Sequence, residues 1–139
     1  MSDLPQETGR RTPRSMVVYR ALATLLFVMT LVQVGLGAGY VDGDWESMNM
    51  HTINARVLVA LALLTLLSGT WLRWQGGPVR AVIVNAVLLL AMIAQMVLGM
   101  ERVVAVHVTL GVIIFAAVVV MVMRAWTADV PARARGEAS

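Results

Sequence analysis

Four long apolar stretches divide the chain, and short polar stretches separate them. The apolar stretches cover about residues 16–38, 51–73, 80–100 and 103–126, and each contains few charged residues. A run of about 20 apolar residues is long enough to cross a lipid bilayer as a helix. The pattern therefore predicts an all-α protein, a four-helix transmembrane bundle that runs up, down, up and down.

The polar stretches divide the chain into one domain and two tails. Residues 1–15 and 127–139 are polar and contain arginine and proline, and we predict that both tails are disordered. The transmembrane domain then covers residues 16–126. A long acidic loop is expected at 39–50, a Gly/Pro turn at 74–78, and only Glu101 and Arg102 between the last two helices.

Composition supports a membrane protein. Hydrophobic residues make up 59% of the 139 residues and charged residues only 14%, whereas a soluble domain has about 25% charged residues. The net charge of +3 comes from eleven arginines that mostly flank the apolar stretches, so no nucleic-acid partner is expected. Cysteine is absent, which excludes disulfides, cysteine-ligated iron–sulfur clusters and covalent haem attachment through Cys-x-x-Cys-His.

The arginines also predict an orientation. Only Arg56 and Arg102 lie near the ends that carry the acidic loop and the Glu101-Arg102 turn, and the other nine lie towards the opposite side. Because arginine is enriched on the cytoplasmic side, both termini are expected in the cytoplasm. The acidic loop and the Glu101-Arg102 turn would then face outwards.

The two halves of the chain share a short motif. Gln33-x-x-Leu36-Gly37 matches Gln95-x-x-Leu98-Gly99, and in each half a histidine follows at the start of the next helix, His51 or His107. These are the only two histidines. The match predicts two parallel helical-hairpin repeats around a pseudo-twofold axis along the membrane normal, although the loops within the two repeats differ in predicted length.

The two histidines are candidate ligands of a haem iron. They lie at similar depth on the second and fourth helices, which are diagonal in such a bundle and therefore about 11–14 Å apart. That separation is too large for a small metal ion shared by both imidazoles, but it suits a haem b held on both faces. Each histidine alone is more often an interfacial residue bonded to water or to backbone.

Other residues near the same depth complete the predicted haem site. Gly37 and Gly99 would let a porphyrin edge approach the first and third helices. Gln33 and Gln95 are costly in lipid and should face inwards, bonded to each other, to backbone carbonyls or to a cofactor.

The two outward arginines are candidate partners of the haem propionates, each with a simpler alternative. Arg56 would otherwise extend towards Asp42, Asp44 or Glu46. Arg102 would otherwise cap the hairpin beside Glu101.

The motif and the histidine layout resemble the haem A synthase family, whose members contain two fused four-helix halves with a histidine on the second and fourth helix of each. The chain resembles one such half, and it is also similar to small four-helix membrane proteins of actinobacteria with paired histidines. The resemblance implies His51 and His107 as haem ligands and the inner (plasma) membrane of a bacterium as the location. Met48 stands where those enzymes carry a glutamate, which favours haem binding over haem A synthesis.

These features predict a membrane electron carrier with a bis-histidine haem near the outer face, working with a quinone or within a larger membrane complex. The chain has no nucleophile–base arrangement, no phosphate-binding loop and no carboxylate pair within a span. A non-enzymatic electron carrier or subunit is therefore expected rather than an enzyme, although these features leave the enzymatic question undecided. One alternative is a haem-free structural or accessory subunit. A weaker one is haem delivery or modification.

Overall fold

The computed structural model describes residues 12–128, and these form four α-helices. The helices are α1 (Arg14–Val41), α2 (Trp45–Trp74), α3 (Val79–Met100) and α4 (Val104–Thr127), and no strand occurs within this part of the chain. The all-α prediction is confirmed. The two predicted disordered tails fall mainly on residues 1–11 and 129–139, which lie outside the described residues.

Each helix is long and apolar enough to cross a membrane. Large apolar side chains point away from the bundle, as Leu90 on α3 and Val112 on α4 do, with 67% and 64% of their surface exposed. Surfaces of this kind are stable when they face lipid instead of water. The protein is therefore a multi-pass membrane protein.

The helices pack as a bundle in which each helix has two neighbours. α1 and α3 each pack against both α2 and α4. The remaining pairs stand on the diagonals, so the two histidine-bearing helices, α2 and α4, are diagonally opposite, as the sequence predicts. Leu26, Leu58, Leu88 and Val118, one from each helix, are almost fully buried in the middle of the core.

Polar contacts between helices occur at the end of the bundle that contains the start of α1 and the end of α4. The Asn85 side-chain amide donates to the Tyr19 hydroxyl, and Ser15 donates to Gln75. Arg20 donates to the backbone oxygens of Ala125 and Ala128 at the end of α4, where its positive charge suits the helix dipole. Below, this is called the opposite end, and the end with His51 and His107 is called the histidine end.

The predicted acidic loop at 39–50 is wrong. α1 continues to Val41 and α2 begins at Trp45, so only three residues connect them. The Asp44 carboxylate accepts hydrogen bonds from the Glu46 backbone N–H and the Ser47 hydroxyl and thereby caps α2. Polar residues are stable in the part of a helix that extends beyond the apolar layer of the membrane. The length of an apolar run therefore does not show where the helix begins. His51 therefore lies in the second turn of α2, not at its start.

Candidate functional site

The histidine end brings the two imidazole rings together at the centre of the bundle. The centres of the His51 and His107 rings are 6.2 Å apart, and the ring planes are inclined by 57°. Both side chains reach inwards from diagonal helices, so the rings are much closer than the helix axes. The sequence-based argument that the pair is too widely spaced to share one small ion is therefore wrong.

His51 is held by a reciprocal pair of hydrogen bonds with Gln33 of α1. The Gln33 side-chain amide donates to the His51 backbone oxygen at 3.1 Å. The His51 Nδ1 atom lies 3.1 Å from the Gln33 backbone oxygen. Because a carbonyl oxygen can only accept, Nδ1 carries the proton, and the lone pair of the neutral ring is on Nε2.

His107 is held in the same way by Gln95 of α3. The Gln95 amide donates to the His107 backbone oxygen at 2.7 Å, and His107 Nδ1 donates to the Gln95 backbone oxygen at 3.0 Å. We call each of these reciprocal pairs a clamp. Of the three partners considered for the glutamines, backbone carbonyls are the ones that both contact.

The two glycines of the motif lie against the imidazole rings. A Cβ atom on Gly37 would be 3.4 Å from His51 Cε1, and one on Gly99 would be 3.0 Å from His107 Cε1. A side chain at position 99 would therefore press on the His107 ring, whereas the contact at position 37 is less tight. An additional contact of these glycines with a porphyrin edge stays a prediction.

Asn54 is a site residue that the sequence analysis missed. It is 5% exposed, and its side-chain amide donates to Gln33 Oε1 at 2.7 Å and to the Met29 backbone oxygen at 3.0 Å. The sequence does contain a pattern that indicates this role. Asn54 lies three residues after His51 inside an apolar helix, where a polar group is costly unless it is hydrogen-bonded.

The second half has no counterpart of Asn54. Leu110 occupies the matching position three residues after His107. Within residues 12–128, the buried Gln95 Oε1 and Asn54 Oδ1 atoms have no hydrogen-bond partner. The amide of the second clamp is thus less completely bonded than that of the first.

The two arginines are not enclosed in the site. Arg56 is exposed on α2, and Arg102 is exposed in the turn between α3 and α4. The contact of either with a propionate stays a prediction. Over the described residues there is no group of three or more histidine, cysteine, aspartate or glutamate side chains that could hold a metal ion. The two imidazoles are the candidate ligands.

Comparison with models of protein families, with curated proteins and with solved structures found no match for this chain. The chemistry of the histidine end is therefore argued from its own geometry.

Proposed function

We propose that this protein is a membrane b-type cytochrome, with a haem b bound between Nε2 of His51 and Nε2 of His107. The observation that carries the proposal is the 6.2 Å separation of the two ring centres. Two Fe–N bonds of about 2 Å each, with about 1 Å from each nitrogen to its ring centre, require a separation of about 6 Å. The observed ring separation supports an iron between the two rings.

The hydrogen bonds of the clamps support the same proposal. A metal-bound histidine commonly donates its other ring N–H to a carbonyl or carboxylate, which fixes the tautomer and the ring orientation. Here each Nδ1 donates to a glutamine backbone oxygen, which leaves both Nε2 lone pairs available.

Electron transfer is the function that two imidazole ligands favour. A haem held in this way supplies a one-electron Fe(III)/Fe(II) couple and has no open position for a substrate. The chain's own part is to hold both rings in place through the two clamps. A bilayer quinone or a neighbouring subunit of a membrane complex is the expected exchange partner. On the arginine distribution, the histidine end faces outwards and the termini are cytoplasmic.

One competing occupant follows from the same spacing. A linear two-coordinate ion such as Cu(I) has similar bond lengths and would fit between the same nitrogens, and Met48 and Met50 lie within one turn of His51. A haem-free accessory subunit is the other alternative. Neither alternative would show a b-type haem band, so an optical spectrum separates both of them from the proposed cytochrome.

The proposal is tested on the full chain purified from haem-replete cells. We expect a sharp b-type band in the reduced-minus-oxidised spectrum, and His51→Ala and His107→Ala should each abolish or shift it. Thr52→Ala and Thr109→Ala change exposed neighbours and should leave the band unchanged. A band that is identical in all four variants refutes the ligand assignment. A colourless wild-type protein refutes haem binding, and metal analysis of that sample then distinguishes a copper site from an accessory subunit.

A further inference from the structure

The opposite end of the bundle presents one exposed arginine from each helix. Arg14 and Arg80 lie in the first turns of α1 and α3, and their side chains are exposed. Arg73 and Arg124 lie in the last turns of α2 and α4, and they are exposed as well. We call these four residues the arginine ring. A further arginine of this end, Arg20, is partly buried and donates to backbone oxygens at the end of α4.

No carboxylate lies at this end of the bundle within residues 12–128. The acidic residues of this part of the chain all lie at the histidine end, and they are Asp42, Asp44, Glu46 and Glu101. Residues 1–11 and 129–139 contain four arginines and four acidic residues, so they add no net charge. The arginine ring is therefore an excess of positive charge that the chain itself does not balance.

Exposed tryptophans accompany the arginine ring. Trp74 directly follows Arg73 and is 79% exposed, and Trp126 lies two residues after Arg124 and is 57% exposed. Tryptophan is enriched at the level of the lipid headgroups, because its ring is mostly apolar and its N–H is polar. The same level contains the phosphate groups of phospholipids, which are the nearest anions to the exposed guanidinium groups.

We infer that the arginine ring is an interaction surface for anionic phospholipids, whose phosphate groups bind the exposed guanidinium groups. A guanidinium group matches phosphate oxygens with two parallel N–H donors, and all eleven basic residues of the chain are arginine. Basic residues beside a membrane span are attracted to a leaflet of anionic lipids. Bound phosphate groups also offset the repulsion among four like charges at one end of the bundle. The inference does not depend on what the histidine end binds.

Vesicles that differ only in headgroup charge test the inference on the full chain. One set contains phosphatidylcholine alone, and the other also contains phosphatidylglycerol with the same acyl chains. The melting temperature of the wild-type protein should rise with the fraction of phosphatidylglycerol. High salt should reduce that rise, because salt screens exposed charges. Equal melting temperatures in both sets overturn the inference. An equal rise in phosphatidylcholine vesicles with added inorganic phosphate also overturns it, because the arginine ring would then bind the free ion and not the lipid.

Matched double variants locate the effect. Arg73→Gln with Arg80→Gln removes two of the four charges of the arginine ring and should remove about half of the rise. Arg56→Gln with Arg102→Gln removes the same charge at the histidine end and should leave the rise unchanged. Arg73→Lys with Arg80→Lys keeps the charge and should give an intermediate rise, because lysine lacks the two parallel donors. A full rise in the first double variant, or an equal loss in both glutamine double variants, overturns the inference.

Discussion

The α1–α2 hairpin and the α3–α4 hairpin hold their histidines by the same clamp, although they differ in length. The clamp joins residues 18 positions apart in the first hairpin and 12 apart in the second, yet the turn within each hairpin has three residues. The first clamp therefore encloses six more residues than the second. Three of them lie at the end of α1, before the turn, and three lie at the start of α2, after it. At about 1.5 Å per residue, the first hairpin extends roughly one helical turn further while the two histidines stay level.

The hairpins also differ in how completely the clamp is bonded. Asn54 donates to the glutamine of the first clamp, whereas the side-chain oxygen of Gln95 in the second has no partner among the described residues. The features common to both hairpins are the glutamine, the glycine and the histidine. Those three residues define the local unit that positions an imidazole, and the rest of each hairpin can vary around it.

The largest effect is expected where α3 packs against the His107 ring. Gly99→Val would place a branched side chain on a Cβ position 3.0 Å from the His107 ring and force the ring away from α3. We expect a loss of about 3 kcal/mol in the free energy of unfolding, measured by denaturant titration, together with loss of any bound haem. Gly35→Val is the matched control, because nothing lies within 4 Å of its added Cβ.

An intermediate effect is expected at Asn54. Asn54→Leu puts a leucine where the second hairpin has Leu110. It also leaves Gln33 Oε1 without its donor. Losing a donor to a buried acceptor costs about 1–2 kcal/mol, and a lower melting temperature of the haem-free protein would show it. An unchanged melting temperature would mean that water replaces the lost hydrogen bond.

A smaller effect is expected at Gln95. Gln95→Leu removes one hydrogen bond to the His107 backbone oxygen and also a buried oxygen that has no partner. The two contributions oppose each other, so the free energy of unfolding should change by about 1 kcal/mol or less. Gln33→Leu should cost more, because it also deprives Asn54 of an acceptor. If Gln95→Leu is the more damaging variant, the proposed difference between the clamps is wrong.

The smallest effect is expected at the start of α2, which an acidic residue caps, unlike the start of α4. The Ser47 hydroxyl, followed by backbone N–H groups, lowers the pKa of the exposed Asp44 carboxyl below its ordinary value of 3.8. The cap therefore stabilises α2 above that pH and is lost as the pH falls through the lowered pKa. Asp44→Ala should lower the melting temperature slightly at neutral pH, and the difference from wild type should disappear in strong acid.

The sequence predicts the apolar helices well, because membrane spans require long apolar runs. It misplaces the start of α2, since Trp45 to Met50 are helical through the Asp44 cap and not through hydrophobicity. The pairing of His51 with His107 follows from the repeat. The distance between the rings does not follow, because it depends on side-chain reach across a diagonal. The hydrogen bonds of Asn54 also depend on contacts between helices that no single-sequence pattern specifies.

The most direct test of the central claim is the electron paramagnetic resonance spectrum of the oxidised full-length protein. Two imidazole ligands on one ferric haem give a low-spin signal, and we expect that signal in wild type with a high-spin signal after His107→Ala. A high-spin ferric signal in the wild-type protein would contradict ligation by both histidines. Absence of any haem iron would contradict the proposed function itself.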